Sequence, residues 1–136
     1  MIIRNFIKLF TLLTYIYAIE PTIFFVYNAK NDFPSIVGDF FHKSLAPKTY
    51  PCQLCKLTYG TFSKKKQWEE YLSSLKYNYQ FVYKNDIKKL TYIDNQYPVI
   101  LFGQENKWDI LVSKEELNNC QTIEKLIDKI TLKLKN

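Results

Sequence analysis

The sequence predicts a single α/β domain, because short apolar runs of strand-forming residues alternate with segments whose apolar residues recur at helical spacing. A chain of 136 residues fits one domain. Its hydrophobic content of 47% and charged content of 24% are those of a globular protein. We therefore do not expect a disordered chain.

The strands are predicted from runs rich in β-branched and aromatic residues. The first run, residues 22–29, is continuously apolar up to its end, which is typical of a buried strand. Three further runs lie at 79–83, 98–102 and 108–112. A polar turn at 104–107 separates the last two, so we expect them to be neighbours in a sheet.

The helices are predicted from capping residues and apolar spacing. Pro34 suits the first position of a helix, and Pro47 ends it. Ser63 is the predicted N-cap of the next helix, and Ser113 with its following glutamates suits a helix start. The last helix runs over 122–133. The helix after Ser63 is expected to face the core with Trp68, Tyr71, Leu72 and Leu75. The last helix is expected to do so with Ile123, Leu126, Ile127 and Ile130.

Residues 1–18 differ from the rest of the chain. Arg4 and Lys8 precede an uncharged run over 9–19, which is shorter than the roughly 20 residues that span a bilayer. The segment fits a signal peptide, which predicts export, for example to a periplasm. It also fits an amphipathic helix that docks on the domain or contacts a membrane surface. Without either role we expect a cytoplasmic protein, and in all cases residues 19–136 form the domain.

The positive charge of the chain does not point to a nucleic acid. The net charge is +6, but Arg4 is the only arginine. Contacts that read base sequence favour arginine, whose planar group pairs with guanine. We therefore assign the lysines to the solvated surface and predict no nucleic-acid partner.

Cys52-x-x-Cys55 is the only local motif that clearly suggests chemistry. It lies in a long connection, residues 46–61, and such loops are usually functional or locally structured. We predict a short helical turn from Cys52 to Tyr59, closed by Gly60.

Three stretches resemble known proteins. Residues 97–102, the polar turn, the next strand and the final helix resemble the segment of the thioredoxin-like superfamily that begins with a cis-proline. Residues 22–29 and the following helix resemble its first βα unit. The resemblance implies a thioredoxin-like fold, with a central four-stranded mixed sheet flanked by helices and a cis Pro98. Residues 49–60 are similar to short uncharacterised bacterial proteins that share TYxCxLCxLTYG.

The cysteine pair departs from the thioredoxin pattern. Thioredoxins place it at the start of the helix directly after the first strand, where this chain reads Asn-Asp-Phe-Pro at 31–34. Here the pair follows the first helix, so the chain is expected to be a divergent member.

A thiol–disulfide role is the first of three hypotheses. A vicinal dithiol cycles between disulfide and dithiol by attack of a thiolate. Cys52 is the expected nucleophile, since helix N–H groups and the charges of Lys48 and Lys56 would favour its thiolate. Cys55 is the resolving thiol, protein thiols or disulfides are the substrates, and no cofactor is needed. The expected partner surface consists of Tyr50, Tyr59 and Pro98.

Two other hypotheses stay open. The chain contains a Cys₃His set that suits structural zinc, namely His42, Cys52, Cys55 and Cys120. Alternatively the protein is a non-catalytic structural or binding domain, in which Cys52 and Cys55 are packed thiols or, after export, a static disulfide.

Overall fold

The computed structural model of the protein describes residues 20–30, 42–46, 50–61, 63–86, 96–104 and 107–136. The interpretation of residues 1–18 lies outside these ranges, and so do Lys48 and most of the helix predicted from Pro34. The end of that helix is described, and residues 42–45 are helical. No helix within the described ranges is both long and apolar enough to cross a bilayer.

Four strands and four helices are bounded in the described residues. The strands are β1 Thr22–Val26, β2 Asn78–Val82, β3 Val99–Gln104 and β4 Lys107–Val112. The helices are α1 Gln53–Thr58, α2 Lys66–Ser74, α3 Lys114–Asn119 and α4 Ile123–Lys135. The strands form one sheet in the order β2-β1-β3-β4. Because β1 is parallel to β2 and antiparallel to β3, the predicted α/β class and mixed four-stranded sheet are confirmed.

The strand register fixes which residues meet at the carboxyl end of β1. Val26, the last residue of β1, pairs with Val99, the first residue of β3. Pro98 therefore lies beside the point at which the chain leaves β1. The Tyr97–Pro98 peptide bond is cis, as the resemblance implied.

The core forms two clusters because successive side chains of a strand point to opposite faces of the sheet. Ile23, Phe25 and Tyr27 belong to the larger cluster, and Val26 belongs to the smaller one. The buried apolar side chains of the four helices join only the larger cluster; they are Leu54, Cys55, Leu57, Trp68, Leu72, Leu117, Ile123, Leu126 and Ile130. Thus α1 to α4 pack on one face of the sheet.

The predicted start of α2 was wrong. Lys65, and not Ser63, is the N-cap, and the helix begins at Lys66. The backbone before it is paired with the end of α1, since the Gly60 N–H donates to the Ser63 carbonyl at 2.7 Å. The Lys65 N–H donates to the Thr58 carbonyl at 2.9 Å. These pairs keep residues 63–65 out of the helix, and Lys65 has extended backbone, so the helix starts after it.

The predicted closure of α1 by Gly60 was also wrong. The C-cap of α1 is Tyr59, whose backbone is extended. Gly60 does not adopt the left-handed conformation of a glycine cap, since no described glycine has a positive φ. The chain turns back here through the pairing with Ser63 described above.

Glu116 joins α3 to α4. It completes a capping box with Ser113, whose hydroxyl accepts from the Glu116 N–H at 3.2 Å. Its carboxylate accepts from the Ser113 N–H at 2.9 Å and forms an ion pair with Lys133 at 2.7 Å. Burial raises the pKa of this carboxyl, but the hydrogen bonds and the charges of Lys133 and Lys129 outweigh it and lower the pKa to about 2.

Replacing Glu116 by Gln should lower the free energy of unfolding by about 1 kcal/mol at pH 7, because the charged cap and ion pair are lost. The depressed pKa means that this contribution is present above the ordinary pKa of a free glutamate, near 4.3. It is lost as the pH falls towards about 2. Urea unfolding of the wild type and of the Glu116→Gln variant at pH 7 and pH 2.5 measures the difference in their free energies of unfolding. Glu115→Gln, a change at an exposed residue in the same turn, is the control. If the wild type and Glu116→Gln differ in the free energy of unfolding by the same amount at both pH values, the account is contradicted.

Candidate dithiol site

Cys52 and Cys55 are joined by a disulfide at the start of α1. Their sulfur atoms are 2.03 Å apart and their Cα atoms 5.2 Å apart. Cys52 is the N-cap of α1, and Cys55 lies in its first turn. The helical turn predicted from Cys52 is therefore confirmed, and its spacing brings the two side chains together.

The start of α1 presents N–H groups to Cys52. The Cys52 Sγ accepts a hydrogen bond from the Cys55 N–H at 3.2 Å. The N–H groups in the first turn of a helix have no partner within the helix, and they favour negative charge close by. A thiolate at Cys52 would be stabilised by the same contact, which is the arrangement that the redox hypothesis requires.

Side-chain hydrogen bonds fix α1 over the carboxyl end of β1. The Tyr27 hydroxyl lies 3.1 Å from Thr58 Oγ1. Because the Thr58 hydroxyl already donates to the Leu54 carbonyl at 2.7 Å, Tyr27 is the donor of this pair. Asn28 Nδ2 donates to the Pro51 carbonyl at 3.2 Å, directly before the disulfide. The cysteine pair thus lies at the end of β1, although a long segment separates the two in sequence.

The disulfide is shielded from solvent. Cys52 is 0% exposed and Cys55 is 7% exposed, and both belong to the larger core cluster. Cys52 presents no surface to solvent, so a reagent reaches this residue only through a local opening of the chain. The sequence alone did not indicate that access to Cys52 requires such an opening.

The three residues expected to form a partner surface differ in exposure. Tyr50 is 8% exposed, and its ring packs edge-on against the His42 ring at 5.5 Å between centroids. Pro98 is also buried. Tyr59 is half-buried at the other end of α1, where its hydroxyl lies 3.3 Å from that of Tyr83. Burial, followed by the Tyr83 hydrogen bond, raises the Tyr59 pKa, so this ring stays neutral.

The four residues expected to hold zinc are not assembled as a ligand set. No group of three or more His, Cys, Asp or Glu side chains in the described part of the chain is placed to hold a metal ion. His42 is exposed, and the sulfurs of Cys52 and Cys55 are bonded to each other. Cys120 is buried at the end of α3, and burial raises the pKa of its thiol. The zinc hypothesis stays a prediction.

Cys120 nevertheless touches the disulfide helix through its backbone. Gln53 Nε2, in the first turn of α1, donates to the Cys120 carbonyl at 2.7 Å. Together with Asn28 and Tyr27, this bond ties α1 to both β1 and the end of α3. Sequence reasoning did not find Gln53, because a single glutamine carries no local signal for a contact so distant in the chain.

Two lysines at the other end of α1 were also missed. Lys43 Nζ donates to the carbonyls of Tyr59 and Gly60 at 2.7 and 3.1 Å. Lys65 Nζ donates to the Lys56 carbonyl at 3.2 Å. Burial lowers the Lys43 pKa, and the charges of Lys65 and Lys56 lower it further. The dense lysine run at 64–66 was the signal that could have indicated this cluster.

The chemistry available to the site is that of a dithiol–disulfide pair. Cys52 and Cys55 are close enough to form the disulfide, and the helix N–H favours a thiolate when they are reduced. Within the described residues, the remaining cysteine, Cys120, is a buried thiol that forms no disulfide. No protein-family model, curated protein or solved structure matches this chain.

Proposed function

We propose that the protein is a thiol–disulfide exchange protein of divergent thioredoxin-like type, which acts on protein thiols or disulfides. One observation carries the proposal. Cys52 and Cys55 are bonded at the start of a helix, and the Cys52 sulfur accepts an N–H of that helix. An N–H donor at this position favours the reactive thiolate, which a packed pair does not require.

The arrangement of the sheet supports the thioredoxin-like part of the proposal. The resemblance implied a four-stranded mixed sheet and a closing helix, and the sheet has the order β2-β1-β3-β4 with one parallel and two antiparallel pairs. The cysteine pair departs from the thioredoxin position in sequence. In space, Tyr27 and Asn28 hold α1 over the carboxyl end of β1, the region where the thioredoxin pair begins its helix.

In the proposed reaction the reduced protein transfers two electrons to a partner disulfide. The Cys52 thiolate attacks one partner sulfur, forms a Cys52–partner disulfide and releases the other partner sulfur as a thiolate. The Cys55 thiolate then attacks the Cys52 sulfur, restores the Cys52–Cys55 bond and releases the second partner thiolate. The two protons of the original dithiol end on the two partner thiols. The reverse sequence oxidises a partner dithiol.

A static disulfide is the second candidate function, and the burial of the pair favours it. Structural disulfides are shielded, whereas an exchange site must admit a partner sulfur. In the exchange proposal, the chain around Cys52 opens locally during each reaction. The two candidates therefore differ in whether the reduced pair turns over.

The test is reduction of a peptide disulfide by catalytic amounts of the full chain, with excess glutathione as the terminal reductant. We expect the protein to raise the rate well above that of glutathione alone. A rate equal to the glutathione background would contradict exchange and leave the static disulfide.

A further inference from the structure

Four lysines surround the carboxyl end of α1, and we name them the lysine cluster: Lys43, Lys56, Lys64 and Lys65. Hydrogen bonds from Lys43 and Lys65 to backbone carbonyls fix two of the ammonium groups in place. Lys64 Nζ lies 4.2 Å from the centroid of the Phe81 ring and is fixed by a cation–π contact. Three of the four ammonium groups are thus held by a specific contact, and Lys56 lies beside them in the last turn of α1.

No described carboxylate forms an ion pair with any member of the lysine cluster. Three other described lysines do have such partners, since Lys66 pairs with Glu70, and Lys129 and Lys133 pair with Glu116. Burial lowers the Lys43 pKa, and the charges of Lys65 and Lys56 lower it further. Hydrogen bonds, and to a smaller extent the charge of Lys65, lower the pKa of Glu124, so one described carboxylate lies within the field of the cluster. No described carboxylate forms a closer pair with the cluster, and its net positive charge can therefore attract an external anion.

The cluster and the disulfide lie at opposite ends of one short helix. Helix α1 has 6 residues, which corresponds to about 9 Å along its axis. That length is close to the Debye length of roughly 8 Å at physiological ionic strength. A peptide whose cysteine reaches Cys52 therefore places its neighbouring residues within the field of the cluster.

We propose that the lysine cluster selects protein partners that carry carboxylates beside the cysteine exchanged at Cys52. This inference rests on the proposed function and names its substrate class. Complementary charge raises the rate of encounter, and the effect falls with ionic strength. A neutral or basic partner would lack the attraction and react more slowly at the same intrinsic reactivity of Cys52.

The experiment compares two peptide disulfides that are identical except for two Glu or two Lys residues beside one cysteine. Initial rates are measured with the full chain at 20 mM and 500 mM sodium chloride. For each protein we compare the rate with the Glu peptide to the rate with the Lys peptide. A change in the intrinsic reactivity of Cys52 affects both rates equally and cancels in this ratio. We expect a ratio of about 10 at low salt and below about 2 at high salt.

Two matched double variants test whether the preference for the Glu peptide depends on the lysine cluster or on net charge. Lys56→Gln with Lys64→Gln removes two cluster charges while leaving the backbone hydrogen bonds of Lys43 and Lys65, and it should lower the low-salt ratio about threefold. Lys107→Gln with Lys114→Gln removes the same charge from two exposed lysines on and after β4, and it should leave the ratio unchanged. An equal fall in both variants would assign the preference to net charge and overturn the inference.

The failure of this inference is distinct from the failure of the proposed function. If both peptides are reduced at equal rates at low salt, exchange stands and the lysine cluster has no role in selection. If neither peptide is reduced above the glutathione background, exchange itself fails, and the inference falls with it. Circular dichroism of each variant checks that the fold is retained before rates are compared.

Discussion

Replacing Cys52 by Ser should reduce the rate of peptide-disulfide reduction to the glutathione background. The Cys52 sulfur is the atom that accepts the helix N–H, at 3.2 Å, so it is the thiolate that α1 stabilises. Serine retains a hydrogen-bonding atom at this position but cannot form the mixed disulfide. Initial rates of the wild type and the variant, each with the same glutathione concentration, give the comparison.

Two further variants make this test specific to Cys52. Cys120→Ala removes the cysteine that forms no disulfide among the described residues, and it should retain wild-type turnover. Cys55→Ser should accumulate the Cys52–peptide disulfide, which intact-mass spectrometry detects, because the resolving thiol is absent. Wild-type turnover by the Cys52→Ser variant would assign the reaction to another group and overturn the proposed mechanism.

Replacing Trp68 by Ala should lower the free energy of unfolding by about 3 to 5 kcal/mol, the usual loss for a fully buried tryptophan. Trp68 is 0% exposed and leads the fully buried side chains in volume. Its ring packs edge-on against Phe25 at 5.1 Å and lies 5.5 Å from Tyr71. The variant therefore leaves a cavity between α2 and the sheet, which the surrounding side chains fill only in part.

Urea unfolding monitored by far-ultraviolet circular dichroism measures the loss, since this signal does not depend on the removed indole. Leu132→Ala is the control, because that side chain on α4 is 64% exposed. Its effect should stay within about 0.5 kcal/mol. A loss below about 1 kcal/mol for Trp68→Ala would show that the larger cluster is not the main core of the domain.

The elements that the sequence predicted best are those with strong local signals. The apolar run at 22–29 predicted β1, and the inward spacing of Leu126 and Ile130 predicted α4, which begins after Thr122. The Ser113 cap predicted the start of α3, although not that it forms a separate short helix. In each case residues that are close in sequence determine the structure.

The features that escaped prediction depend on contacts between distant segments. The start of α2 is displaced because Lys65 pairs with Thr58 across a turn. The position of the dithiol at the end of β1 depends on Asn28 and Tyr27, and its attachment to α3 depends on Gln53. Burial of Cys52 is likewise a tertiary property, so the motif predicted a reactive pair without predicting its shielding.

The reduction potential of the Cys52–Cys55 pair tests the central claim most directly. The full chain is equilibrated in a series of glutathione or dithiothreitol buffers, and alkylation followed by mass spectrometry counts the free thiols. An exchange protein should show a two-electron transition between roughly −120 and −270 mV, the range of known thiol–disulfide oxidoreductases. A pair that stays oxidised below about −300 mV would be a structural disulfide and would contradict the proposed function.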